Sequence, residues 1–261
     1  MIIIQPSGGL CNRMRVINSG WKLAQKRKEK LLVLWNCNQE LNCPFDALFR
    51  PVSEFKITSI RSVADPRKLF YQKTARSYLT NEELLAHRCP NGSLDETYVR
   101  NLKKNIYIFT WEWFYPAEDY HLFIPTDLLQ KRIDNMTSRF GSSCVGVHIR
   151  RTDNQPAIGK SSTEAFIDSM EREISQNPDT MFYLATDDTG EETRIRKAFP
   201  DRVLSNQKRC LRRDNKEGIQ DALLDLYCLA STRKIIGSYF SSFTDIAADM
   251  HGIPLMIAKD S

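Results

Sequence analysis

The 261-residue sequence has no long apolar run; no window approaches the roughly 18 apolar residues that a membrane span needs. It also has no C-x-x-C pair. Its seven cysteines, at positions 11, 37, 43, 89, 144, 210 and 228, are odd in number and scattered. That pattern argues against a zinc site or a disulfide scaffold and for packed, reduced thiols. Low-complexity tracts and long runs of like charge are absent, so ordered structure is expected throughout. The segment Met1 to Gln5 carries neither the basic region nor the apolar stretch of a signal peptide, and a cytoplasmic protein, or the soluble part of something larger, is expected.

What is present is ordinary for a globular chain: 41% hydrophobic and 26% charged residues. The length suits two compact α/β units of roughly 120 to 140 residues each. The net charge is +5, with the basic residues spread through Lys26-Arg27-Lys28, Lys103-Lys104, Arg150-Arg151 and the stretch 208–213. Such scatter suits a small anionic ligand better than a nucleic-acid track, and no nucleic-acid partner is expected.

The periodicity predicts a strand at Met1 to Gln5, a Gly8-Gly9 turn, a helix over Asn12 to Glu29 with Met14, Ile17, Trp21, Leu23 and Ala24 at helical spacing, and a second strand at Leu31 to Trp35. This opens a βαβ unit. Between Asn36 and Lys104, prolines 44, 51, 66 and 90 interrupt short apolar clusters, which predicts irregular loops and two short helices at most. Ile106 to Phe109 is a further strand. The aromatic run Trp111-Glu-Trp-Phe-Tyr115 beside it fits hydrophobic packing first and sugar stacking second. A helix over Leu128 to Phe140 places the boundary near residue 140, giving units 1–140 and 141–261. In the second half, strands at Cys144 to Ile149, Met181 to Ala185, Val203, Lys234 to Ile236 and Leu255 to Ile257 alternate with helices, and the nearly continuous apolar strands imply a parallel, Rossmann-like sheet covered on both faces.

Ligands of such sheets bind beyond the carboxyl ends of the strands, and the residues there are unusually polar. His148, Arg150, Arg151 and Asp153 follow the first strand of this half; Thr186, Asp187 and Asp188 follow the second; Ser238, Ser241 and Ser242 follow the fourth. Alternation puts His148 and Arg150 on one face and Arg151 on the other. Two cations at a sheet edge call for an anion, and arginine binds a diphosphate through charge-assisted hydrogen bonds. The competing reading pairs Arg150 and Arg151 with Asp153 and Asp187 as structural ion pairs. Tyr239 to Asp245 spans a strand-to-helix turn, where a helix N-terminus offers a phosphate site; Ser241 or Ser242 is equally a plain N-cap. Asp187-Asp188 suggests a metal, yet Thr189-x-x-Glu192 is also a capping box, and Asp188 is as much a helix-start residue as a ligand. The Gly8-Gly-Leu-Cys-Asn-Arg13 loop is neither G-x-G-x-x-G nor Walker A, but it sets Asn12 and Arg13 at a helix N-terminus facing a cleft.

Together the blocks His148-Ile-Arg-Arg-Thr-Asp153, Phe182-Tyr-Leu-Ala-Thr-Asp-Asp188 and Gly218 to Asp225 continuing through Phe240-Ser-Ser242 resemble the fucosyltransferase superfamily of α1,6-fucosyltransferases, nodulation fucosyltransferases and protein O-fucosyltransferases. The Gly8 loop is similar to the glycine-Asn loop of the last group. The resemblance implies a GT-B-like α/β fold, two Rossmann-like domains with parallel sheets facing across a cleft, the first on the acceptor side and the second binding the nucleotide sugar. It implies GDP-fucose as donor, a glycan acceptor, inversion at the anomeric carbon, and neither metal nor cofactor. By the same resemblance Arg150 holds the β-phosphate, His148 and Asp225 place the guanosine, Ser241 and Ser242 contact the diphosphate, and Arg151, Asp153, Asp187 and Asp188 organise the pocket. One departure stands out: where the α1,6 enzymes continue with Lys and a nearby Glu, Asp153 is followed by Asn154-Gln-Pro-Ala-Ile158, leaving Asp153 and Glu164 as candidate bases. The alternatives are the same fold with another nucleotide sugar, or a nucleotide- or glycan-binding protein without catalysis.

Overall fold

The computed structural model describes the chain except for Arg61, Val63, Glu118, Asp119, residues 153–158 and Ser261. By compactness it divides into a first unit, Met1–Asp127 with Arg212–Gln220, and a second, Leu128–Leu211 with Asp221–Ser261. The sequence reading had placed the change-over near residue 140.

The first unit is built on five parallel strands, β1 (Ile2–Pro6), β2 (Leu31–Asn36), β3 (Lys56–Ile60), β4 (Ser77–Leu79) and β5 (Ile106–Thr110), in the order β3-β2-β1-β5-β4. β1 is buried along its whole length, as the central strand of a sheet covered on both faces must be. Helix α1 (Leu10–Arg27) follows it directly and buries Met14, Val16, Ile17 and Leu23. Between β2 and β5 the prediction of loops with two short helices at most is corrected. Besides β3 and β4, the segment holds α2 (Pro66–Thr74), α3 (Asn81–Ala86) and α4 (Glu96–Asn101). Helix α2 starts with Pro66 in its first turn and is capped by Asp65, but it buries no residue and therefore shows no apolar period. β3 is an edge strand in which Ile60 alone is buried, and β4 has three residues.

The second unit follows the predicted alternation. Strands β6 (Val145–Ile149), β7 (Phe182–Thr186), β8 (Val203–Leu204), β9 (Ile235–Gly237) and β10 (Leu255–Ile257) form a parallel sheet ordered β10-β9-β6-β7-β8. Helices α5 (Asp127–Thr137), α6 (Thr163–Gln176), α7 (Thr189–Ala198), α8 (Lys216–Ala230) and α9 (Ser242–Asp249) accompany it. Val145, Val147, Ile149, Phe166, Met170, Phe182 and Leu184 form its core. Each such side chain, buried fully, contributes about 1.5–3 kcal/mol by transfer from water.

Each sheet changes winding direction beside its first strand: between β1 and β5 in one, between β6 and β9 in the other. Such switch points open a crevice at the carboxyl ends of the strands. All seven cysteines are free thiols, and Cys11, Cys43, Cys144 and Cys228 are buried. Among the described residues, no helix is long and apolar enough to cross a membrane.

Candidate functional site

At the switch point of the second sheet, β6 ends at Ile149 and the chain turns out at Arg150. The Arg150 amide donates to Ser238 Oγ at 2.9 Å, and that hydroxyl donates to the His148 carbonyl at 3.1 Å. The exits of β6 and β9 are thereby tied together. Arg150 Nη1 meets Asp187 Oδ2 at 2.8 Å. Asp187, just beyond β7, also accepts the Arg151 amide at 2.8 Å and the Thr152 hydroxyl at 2.6 Å. Burial pushes the Asp187 carboxyl up, but Arg150 and these hydrogen bonds outweigh it and hold the group below its ordinary range.

Helix α9 lies against the same exit. A Cβ on Gly237 would stand 2.0 Å from Thr244 Cγ2, so only glycine lets β9 and α9 approach this closely. Thr244 Oγ1 is 2.6 Å from His148 Nδ1, and the Phe243 ring stacks on the imidazole with centroids 4.8 Å apart. His148 is buried; burial, followed by the charge of Arg150, lowers its pKa to about 3. It is therefore a neutral ring at physiological pH. Ser241 occupies the N-cap position of α9 but makes no side-chain cap bond, and the helical ladder begins with the Asp245 amide on the Ser241 carbonyl. The amides of Ser242, Phe243 and Thr244 thus lack helical acceptors, which makes this the positive end of the helix dipole. Phe240, next to the cap, has φ of 50° and is 76% exposed.

The other predicted residues fall around this centre. Asp188 caps α7, accepting the Glu191 amide at 2.9 Å, which is its helix-start role; the cap is Asp188 itself and not Thr189. Arg151 turns towards α6 and α7: Nη1 donates to the Ser161 carbonyl at 2.8 Å and Nε lies 3.3 Å from Glu191. Arg150 and Arg151 thus do form ion pairs, Arg150 with the predicted Asp187 and Arg151 with Glu191. Glu164 is exposed and pairs with Arg194 at 2.6 Å. Asp153 lies outside the described residues. Among those described, no group of three or more His, Cys, Asp or Glu side chains is placed to share a metal ion.

Asp225 is 4% exposed. It accepts the Tyr183 hydroxyl at 2.7 Å and pairs with Lys208. Burial lowers the Lys208 pKa to about 8. In the sequence Lys208 counts only among the scattered basic residues. A signal was available: Asp221 and Asp225 recur four residues apart within the largely apolar stretch 219–230, and buried carboxylates require cations.

In the first unit, Arg13 is fully buried and lies over the Trp35 ring. Its guanidinium donates to Gly8 O at 2.8 Å, to Asn38 Oδ1 at 2.9 Å and to the Asn36 carbonyl. Burial lowers its pKa to about 10. Arg13 therefore fastens the loops after β1 and β2 to each other. Asn12, half-buried, stands at the first turn of α1 beside Gly8. Of the aromatic run, Phe114 and Tyr115 are packed inside while Trp111 remains 51% exposed.

Two parallel five-stranded α/β units in one chain are the fold of a set of GT-B-like fucosyltransferase structures. The chain is similar to the crystal structure of NodZ alpha-1,6-fucosyltransferase soaked with GDP-fucose, with a TM-score of 0.64 and 20% identity over 95% of this chain and 92% of that one. A structure of fucosyltransferase NodZ from Bradyrhizobium gives a TM-score of 0.63 at 20% identity, covering 94% and 90% of the two chains. POFUT1 in complex with GDP-fucose gives 0.60 at 9% identity, covering 98% and 97%. By sequence, neither a protein-family model nor a curated relative matches.

Proposed function

We propose that the chain is an inverting glycosyltransferase that transfers fucose from GDP-fucose to a glycan hydroxyl. The observation that carries this reading is the Arg150 guanidinium, held by Asp187 at a sheet switch point beside the uncapped start of α9. The fold is shared with a NodZ structure soaked with GDP-fucose and with POFUT1 in complex with GDP-fucose. In the reaction the acceptor oxygen bonds to the anomeric carbon as the bond from that carbon to the β-phosphate oxygen breaks, and GDP leaves carrying the electron pair. Arg150, with Ser241, Ser242 and the amides of α9, stabilises the charge that grows on the phosphate, more strongly in the transition state than before it. This takes the place of a metal, since Asp187 is committed to Arg150 and Asp188 to its helix cap. Asp153, three residues after Arg150, takes the acceptor proton. His148 and Asp225 support the guanosine pocket from within, by fixing Thr244 and Lys208.

A nucleotide panel tests the donor. GDP is expected to stabilise the protein against heat, by about 2.7 kcal/mol at a hundredfold excess over its Kd, and UDP much less. The reverse order rejects the donor assignment. Arg150→Ala is expected to abolish transfer from GDP-fucose while the protein stays folded, and Asp153→Asn to abolish transfer while GDP still binds. Product of anomeric configuration opposite to the donor, read by NMR, establishes inversion. Hydrolysis of GDP-fucose in the absence of acceptor excludes a purely binding protein.

A further inference from the structure

The switch point of the first sheet, between the ends of β1 and β5, gathers a second group of polar atoms. Ser7 follows β1, and its amide is bound to the Thr110 carbonyl at 2.9 Å. The Ser7 hydroxyl oxygen is buried and has no hydrogen-bond partner among the described residues. Gly8 takes the left-handed conformation at φ of 79°, and a Cβ there would lie 3.0 Å from Asn12 Nδ2 and 3.5 Å from Trp111 Cβ. The Gly8 amide donates to Glu40 Oε2 at 3.0 Å, and Asn38 Nδ2 donates to the same oxygen at 3.3 Å. Glu40 is exposed, and Trp111 is 51% exposed. One backbone position thus gathers an orphan hydroxyl, an amide, an anchored carboxylate and an open indole face.

The Ser7 oxygen is closed to solvent, so the groups that face outward here are Glu40, Asn12 and the Trp111 indole. Their chemistry narrows what the rim can hold. A carboxylate at the rim repels phosphate, and the neighbouring Arg13 is spent on loop carbonyls. A neutral ligand with several hydroxyls and one apolar face satisfies these elements: hydroxyls donate to Glu40 and Asn12, while C–H groups cover the indole. We infer that this rim binds a hexose ring of the acceptor, stacked on Trp111 and oriented by Glu40 and Asn12. The inference rests on the glycosyltransferase reading for the word acceptor, but the sugar site itself does not.

Saturation-transfer NMR with methyl β-D-glucoside, methyl β-D-galactoside, methyl α-D-mannoside and methyl N-acetyl-β-D-glucosaminide tests it directly on the full chain. At least one glycoside is expected to receive magnetisation at its ring protons. Its affinity should fall about tenfold or more in Trp111→Ala and in Glu40→Gln, and stay within about threefold in Trp111→Phe, which keeps an aromatic face. A cooperative thermal unfolding transition, measured on the same variants without ligand, reports whether they are folded. If no glycoside binds the unaltered protein, or if folded Trp111→Ala binds as well as it does, the inference is overturned. If sugar binds at Trp111 while GDP fails to stabilise the protein, the donor assignment falls and the hexose site stands.

Discussion

Arg150 and Asp187 form an ion pair at 2.8 Å in which each side chain is 16% exposed. A fully exposed pair would contribute little, and a sealed one would be out of reach of a ligand. This pair is buried enough to be rigid and open enough to be approached from the rim. Asp187 also binds the Arg151 amide and the Thr152 hydroxyl, so the guanidinium is presented in one orientation before any ligand arrives.

Loss of that orientation should appear in binding. Immobilising a long side chain on association costs about 0.5–1.5 kcal/mol, which Asp187 removes in advance. Asp187→Ala is therefore expected to weaken GDP roughly tenfold by titration calorimetry. Unchanged affinity would show that the pair only holds the fold.

His148 makes the protein sensitive to acid. Its folded pKa of about 3 lies below its ordinary value of 6.5, burial being the main cause. The unfolded chain therefore takes up the proton first. The stability that this neutral ring supports is complete above about pH 6.5 and falls by about 1.4 kcal/mol per unit as pH drops towards 3. Asp187, whose folded pKa is also depressed, adds a further loss below its ordinary 3.8. Urea titrations at several pH values should show a steep slope between about pH 6.5 and 5, reduced in His148→Gln. Equal slopes in the two proteins would contradict this.

The Lys208 and Asp225 pair is a test of burial. Removing the lysine leaves a carboxylate under the sheet with only the Tyr183 hydroxyl, and Lys208→Met should destabilise the fold by about 3–5 kcal/mol. Replacing both, in Lys208→Met with Asp225→Leu, should recover most of it. A single variant within about 1 kcal/mol of the parent in chemical denaturation would contradict the assignment.

Phe240, whose ring lies 6.2 Å from that of Tyr239, holds a left-handed backbone at φ of 50°. A bulky residue in the left-handed region is strained by about 1–2 kcal/mol, and an exposed ring regains little by burial. Phe240→Gly is expected to raise stability by about 0.5–1 kcal/mol, after the entropy glycine adds to the unfolded chain is deducted. A lower melting temperature would show that the ring is held by contacts stronger than the strain.

The parts of this protein that were legible in its sequence are those fixed by the chain locally. β6 and β7 are buried throughout and nearly all apolar because both faces are covered, and Arg150 follows β6 directly, so the fold of the second unit and the polar cluster at its strand ends could be read off. β3 could not, because an exposed edge strand such as Lys56 to Ile60 needs no apolar pattern. Side-chain direction was the other gap. His148, Arg13 and Asp225 are polar residues at the predicted places, but their orientation depends on Thr244, on the loop carbonyls at Gly8 and Asn36, and on Lys208, all distant or separately placed along the chain. Glu40 reaches Gly8 across 32 positions and left no local trace.

The stretch Arg212–Gln220 belongs to the first unit, although 84 residues of the second precede it. Asn42 binds the Arg213 and Asp214 carbonyls at 3.0 Å, and Gln220 donates to the Ala47 carbonyl at the same distance. During synthesis the first unit therefore stays incomplete until residue 220 has been added, after the 84 residues 128–211 of the second unit have been made. A chain cut after residue 127 would lack these contacts, and on that account the two halves are poor candidates for separate expression.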